Sequence, residues 1–139
     1  MDLRLTDDAR QHLALFEEVT GASGRDCLID GERLLLVVPS GEMSDAIGPN
    51  GAHVKRFERR VGKSVRLVEG ADDPETFVAN ALAPAAVYNV TISENEDTVA
   101  YVEVASEDRG VAIGTEGRTI EDARALAKRH VDVDDVQLV

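Results

Sequence analysis

The chain has 139 residues, 43% of them hydrophobic and 30% charged, with a formal net charge of −12. That hydrophobic share supports packed cores and excludes wholesale disorder, and no apolar run of about 18 residues is present to span a membrane. The single cysteine, Cys27, excludes an intrachain disulfide and a cysteine-based metal cluster, and its apolar neighbours mark it as a buried small hydrophobe.

Thr6 is a suitable N-cap for a helix running to about Thr20, with Asp7 and Asp8 in its first turn. Ala9, Leu13, Phe16 and Val19 recur at helical spacing and should face a core. Asp26–Ile29 and Arg33–Val38 read as strands around Asp30-Gly31, a hairpin signal in which both residues are expected at positive φ. A short helix, Met43–Ile47, leads to Gly48-Pro49-Asn50-Gly51 and a second helix, Ala52–Val61, that should bury Val54, Phe57 and Val61. Gly62 stops it, and Ser64–Val68 alternates like a strand.

Asp72 or Asp73 then caps a new helix with Pro74 near its first position, an apolar face of Phe77, Val78, Ala81 and Leu82, and Pro84 ending or bending it. Val87–Ile92 and Thr98–Val104 read as a hairpin with a polar tip, Ser93 to Asp97. Ser106–Ile113 is a short helix, followed by Gly114-Thr115-Glu116-Gly117, a helix over Arg118–Arg129, and a last strand, Val136–Val139.

The two halves repeat. At an offset of sixty-six, Leu34, Leu36 and Val38 fall on Ala100, Val102 and Val104, Ile47 falls on Ile113, and the Gly-x-x-Gly turns coincide. Each half reads α-β-β-α-α-β, which predicts an α+β protein of two domains, 1–70 and 71–139, small but within the size that folds alone. Glycine in a turn before a helix lets backbone pass close to a phosphodiester, where the helix offers unpaired N–H groups.

Charge singles out the first turn. Between Gly48 and Arg66 the chain carries Lys55, Arg56, Arg59, Arg60, Lys63 and Arg66 against Glu58 alone, a local net of +5. Elsewhere it is acidic and lysine-poor, with twelve arginines to three lysines. That balance is expected in a high-salt cytoplasm, where a Debye length of about 3 Å at 1 M screens carboxylate repulsion. The N-terminus, Met1 to Asp8, lacks the basic-then-apolar pattern of a signal peptide, so a cytoplasmic location is expected.

A helix pair joined by Gly-x-x-Gly and followed by a strand resembles the core of a KH domain, a module that clamps about four nucleotides of RNA backbone. With the extra helix and strand preceding that core, each half is similar to the prokaryotic-type (type II) KH fold. The resemblance implies a three-stranded mixed sheet with three helices on one face. Two such domains in about 140 residues resemble the archaeal NusA-like transcription termination factors, which implies a non-enzymatic role in termination or antitermination. The implied partners are single-stranded, nascent RNA and RNA polymerase, with no cofactor, membrane or small-molecule substrate. A polymerase-docking adaptor with weak RNA affinity and a ribosome-associated RNA binder are the alternatives.

By the same resemblance, Gly48, Pro49, Asn50 and Gly51 form one clamp, and Gly114, Thr115, Glu116 and Gly117 the other. Ile47 and Ile113 would floor the grooves with Val54 and Ile120 nearby, and Lys55, Arg56, Arg59, Arg60 and Arg118 would meet phosphates. Pro49 removes one N–H donor, and Glu116 sets a carboxylate where a phosphate would approach. The second helix is also less basic, with Arg118, Arg124, Lys128 and Arg129 opposed by Glu121 and Asp122. The first domain is therefore expected to carry most of the phosphate affinity. His12, His53 and His130 show no metal-ligand spacing and read as surface or half-buried residues. Asp132, Asp134 and Asp135 lack the glycine and terminal Glu of a calcium loop. Ser40 and Ser44 have no base-and-orienter arrangement for nucleophilic chemistry.

Overall fold

A computed structural model of the chain describes residues 5–139. The reading of the N-terminus as lacking a signal-peptide pattern falls partly on Met1 to Arg4, outside the described residues. The chain divides into two compact units, one ending at Gly70 and the other beginning at Ala71.

In the first unit α1 (Asp7–Thr20) starts where the Thr6 hydroxyl accepts from the Ala9 N–H at 3.1 Å, and ends at Gly21 in the left-handed region. β1 (Asp26–Asp30) pairs antiparallel with β2 (Arg33–Val38), which pairs parallel with β3 (Ser64–Glu69). Between β2 and β3 the chain forms α2 (Met43–Ile47), a tight turn over Pro49–Gly51 and α3 (Ala52–Val61). Leu34, Leu36 and Val38 of β2 share one core with Ala9, Leu13 and Phe16 of α1, Ala46 of α2 and Phe57 of α3. All three helices therefore lie on one face of the sheet. Phe16 meets Phe57 edge to face, with ring centroids 5.2 Å apart, a favoured aromatic geometry. Cys27 is buried, and desolvation, with Asp26 adding to it, pushes its thiol up to about 11.

The second unit repeats the order. α4 (Pro74–Ala81) is capped by Asp73, whose carboxylate accepts from the Thr76 N–H at 2.8 Å. β4 (Val87–Glu94) pairs antiparallel with β5 (Thr98–Val104), which pairs parallel with β6 (Asp135–Leu138). α5 (Arg109–Ile113) and α6 (Arg118–Val131) flank the second turn, and a short 3-10 segment, Ser106–Asp108, precedes α5. Along β5, Ala100, Val102 and Val104 are buried while Tyr101 and Glu103 are exposed, the period of a half-covered sheet. His130 stacks on Phe77 with centroids 5.3 Å apart.

Several expectations need correction. The first hairpin turns on Gly31-Glu32, because Asp30 pairs with Arg33, and only Gly31 takes positive φ, at 57°. One glycine at the first central position suffices for such a turn. Val54 and Val61 are half-buried, leaving Phe57 as the fully buried residue of α3. β3 does not alternate: it is half-buried along most of its length, as an edge strand paired on one side only. α4 ends at Ala81, before Pro84, and α6 runs to Val131.

Candidate nucleic-acid interface

The two glycine turns have the same backbone to within 8° at each of these dihedrals. Gly48 and Gly114 sit at φ 74°, ψ 172° and φ 82°, ψ 170°, a region open in practice only to glycine. Asn50 (55°, 28°) and Glu116 (56°, 25°) are left-handed, as are Gly51 (75°, 15°) and Gly117 (74°, 12°). A Cβ on Gly48 would lie 2.7 Å from His53 Nδ1, and one on Gly114 2.7 Å from the backbone N of Thr119. At Gly51 the nearest atom to such a Cβ is Lys55 Cε at 3.5 Å, and at Gly117 nothing lies within 4 Å. The first glycine of each turn fixes the chain path, and the second leaves open surface.

Hydrogen bonding decides which donors each turn can offer. Gly51 N–H donates to the Gly48 carbonyl at 3.1 Å and Gly117 N–H to the Gly114 carbonyl at 3.0 Å. The next residues, Ala52 and Arg118, donate to Pro49 and Thr115. The first turn therefore keeps only the Asn50 N–H for a ligand, since Pro49 has none; the second keeps those of Thr115 and Glu116. His53 Nδ1–H donates to the Asp45 carbonyl at 2.7 Å and ties the start of α3 to α2. This contact had no signal in the sequence beyond a histidine five residues after the glycine.

A KH-domain family model matches residues 11–72, and a model described as NusA-like second KH domain matches 74–138. Over 138 residues, covering 99% of both chains, the sequence is 60% identical to the probable transcription termination protein NusA of Halococcus morrhuae. Its counterpart in Halobacterium salinarum is 58% identical over the same span. The chain belongs to the archaeal NusA family, built of two type II KH domains. The crystal structure of APE1850 is similar to it with a TM-score of 0.85 at 27% identity, covering 97% of this chain and all of that one. The lysine-poor, acidic composition fits the hosts of the two halobacterial relatives.

Within this NusA-family chain the two turns differ in charge. Lys55 curls back so that its Nζ donates to the Asn50 carbonyl at 3.3 Å, placing a cation over the first turn. The equivalent residue in the second unit is Glu121, held by Arg124, and Asp122 replaces Arg56. Glu116 is paired with Arg118 at 3.2 Å, which offsets part of the repulsion expected of it, though both groups are well exposed and such a pair is weak. Residues 71–139 carry a net charge of −10, against −2 for residues 1–70.

Among the described residues, Lys55, Arg56, Arg59, Arg60 and Lys63 have no carboxylate within ion-pair distance, whereas Arg10, Arg33, Arg118, Arg124 and Lys128 each do. The cations of α3 keep their charge available. Ile47 and Ile113, at the ends of α2 and α5, are 39% and 40% exposed beside their turns; Val54 is half-buried and Ile120 buried. The structure thus brings Ile47, the first turn, Lys55, Arg56, Arg59 and Arg60 onto consecutive short elements. Ile113, the second turn, Arg118 and Ile120 hold the equivalent places without the basic face.

Among the described residues no group of three or more His, Cys, Asp or Glu could hold a metal ion, and no helix is long and apolar enough to cross a membrane.

Proposed function

We propose that this protein is an RNA-binding transcription termination factor that engages nascent single-stranded RNA near RNA polymerase in the cytoplasm. Its two units, 1–70 and 71–139, act as unequal clamps, and neither performs catalysis. One observation carries the reading: in a chain of net charge −12, five cations on the helix that leaves one glycine turn and just beyond its end have no carboxylate partner among the described residues. A protein rich in acid would neutralise a merely structural basic helix; charges left unpaired beside exposed backbone fit a phosphate ligand. Ile47 and Val54 offer apolar surface for a base, and Gly51 lets the RNA backbone approach.

The test is the affinity of the full chain for short single-stranded RNAs in molar potassium chloride, with Gly51→Asp and Gly117→Asp compared to wild type. Both sites have room for a side chain, so the fold should survive. Gly51→Asp is expected to weaken binding about tenfold or more, through a carboxylate set against phosphate. Gly117→Asp should change it by roughly twofold at most, because that turn already carries carboxylates. Equal affinities for all three proteins would refute the clamp.

A further inference from the structure

Each unit has two edge strands, and three of the four are guarded against pairing with another chain. β1 is only 5 residues long and has Asp26 and Asp30 at its ends, while β3 and β6 are tied to their own helices by Glu58 and Arg124. β4 has no such guard. It runs for 8 residues, its one charged side chain is Glu94 at the far end, and among the described residues nothing but β5 bonds its backbone. The helix over it is short as well, 8 residues in α4 against 14 in α1. Val90 pairs with Val102 as Cys27 pairs with Leu36, at corresponding places in the repeat. Cys27 is 3% exposed in the core beneath α1, yet Val90 is only half-buried. The uncovered ground is an open cleft of about 420 Å³, lined by Glu75 and Ala79 of α4 and by Val87, Tyr88 and Val90 of β4. The strand register skips Tyr88, which has no partner on β5 and is 66% exposed.

We infer that β4 and this cleft form a docking edge for an extended, basic segment of another protein, which adds to the sheet as a further strand. The outer N–H and C=O groups of β4 supply main-chain hydrogen bonds, and alternate side chains of the guest enter the cleft. Strand alternation puts Val90, Ile92 and Glu94 on one face, and Glu75 lines the cleft beside the start of β4. An apolar guest side chain therefore meets Val90 and the Tyr88 ring, and a cation at either end meets Glu75 or Glu94. Charge decides against a second copy of this chain as the occupant. No residue of β4 is basic, so a β4–β4 pair would bring no cation to Glu75 or Glu94 and would add the same carboxylates again. At molar salt the Debye length is about 3 Å, so only charges in contact still attract and the guest's cations have to touch those carboxylates. None of the residues assigned to RNA takes part.

The probe is a fluorescently labelled peptide, arginine-threonine-valine-threonine-valine-threonine-arginine, whose arginines and valines share one face of a strand. It is titrated against the full chain in molar potassium chloride by anisotropy. Binding is expected, and replacing both arginines by glutamate should weaken it about tenfold. Methylating alternate backbone nitrogens separates strand addition from charge attraction alone. One of the two alternate sets faces β4 and its methylation should cost about tenfold or more; methylating the other set should change affinity by less than about twofold. Tyr88→Ala should weaken binding about fivefold and Glu75→Gln about threefold. Both side chains are exposed, so the fold should survive either change. No binding, equal binding of the two methylated peptides, or equal binding by wild type and both variants would overturn the docking edge. Self-association of the chain that the peptide reverses would also overturn it, by giving the edge to a second copy.

Discussion

Glu58 and Arg124 occupy equivalent positions in the two halves and fasten the same point of the edge strand with opposite chemistry. Glu58 accepts the N–H of Val65 at 2.8 Å, whereas Arg124 donates to the carbonyl of Val136 at 3.1 Å and to the Asp135 carboxylate at 2.9 Å. Val65 pairs with Leu34 and Val136 with Ala100, so the two strand residues correspond. An edge strand leaves a row of backbone groups unpaired; each half ties one of them to its own glycine-turn helix. In the first half this puts the lone carboxylate of α3 at the strand and leaves the cations outside.

Removing that tie should be felt in the first half only. Glu58→Ala leaves the half-buried Val65 N–H without its acceptor, at a cost of about 1–2 kcal/mol, while Glu58→Gln keeps an acceptor and should cost roughly half as much. Cys27 reports on it without a label. It is the only cysteine, lies in the first half at 3% exposure, and has a thiol held up near 11, so it reacts with thiol reagents only when that half opens. Rates for the two variants should rise in the order Gln, then Ala; identical rates in wild type and Glu58→Ala would remove the strand tie from the account.

The two glycines of each turn should differ in their tolerance of alanine. Gly114→Ala forces a Cβ against the Thr119 backbone, which cannot swing aside; Gly48→Ala meets the His53 ring, which can. Both also place alanine in a region that costs on the order of 1–3 kcal/mol. Gly51→Ala and Gly117→Ala meet open space or the flexible end of Lys55 and pay only the left-handed penalty, about 1–2 kcal/mol. Denaturant midpoints in molar salt should therefore fall furthest for Gly114→Ala, next for Gly48→Ala and least for the other two.

Much of this was legible in the sequence because the repeat is exact where the backbone is constrained. The offset of sixty-six that aligns the glycines also aligns Asn50 with Glu116, and their dihedrals agree within 3°. Offset failed where packing rather than backbone sets the length: α4 has 8 residues against 14 in α1, and its cap is Asp73, one residue later than the offset requires. The site was legible as residue types but not as partners. Nothing in the spacing showed that Glu58 turns inward to a strand, that His53 packs on Gly48, or that Glu116 is paired with Arg118. Those depend on side chains meeting across elements. The hairpin turns one residue beyond the centre that Asp30-Gly31 implies, because the paired strand extends through Asp30.

Acid should act on the second half first. Asp73, Asp134 and Asp135 are all held below the ordinary value of 3.8: Asp73 by hydrogen bonds from Thr76, Asp134 by the Thr98 N–H and Lys128, Asp135 chiefly by Gln137. A carboxylate whose folded value is depressed contributes stability above about pH 4, and that stability is lost as pH falls through the folded value. Lys128 is raised above 10.5, so its contribution is complete below that pH and lost above it. Both tyrosines, Tyr88 and Tyr101, lie in the second half, and the chain has no tryptophan. Tyrosine emission should therefore show this half weakening below about pH 4, and Asp134→Asn should shrink that dependence. A tyrosine-reported stability that stays flat from pH 7 to 2 would contradict these carboxylate bonds.

If charge alone separates the two turns, the second should acquire the first one's property when its charges are exchanged. Glu116→Asn with Glu121→Lys reproduces Asn50 and Lys55 on a backbone that already matches within 3° at that position. Asparagine is also better suited than glutamate to the left-handed conformation, so the double variant should be at least as stable as wild type. The loss of Glu121 removes one of the two carboxylates on Arg124, which stays tied to Asp135 and Val136, and Arg118 is released from Glu116. Introduced into a Gly51→Asp background, where the first clamp is disabled, the pair should restore RNA affinity by about fivefold, the scale of one exposed charge-assisted contact of about 1 kcal/mol. The salt dependence should steepen by about 0.7 per phosphate engaged. Failure to restore binding, with the fold intact, would mean that something other than charge, such as the shape of the surface around Ile113, keeps RNA from the second turn.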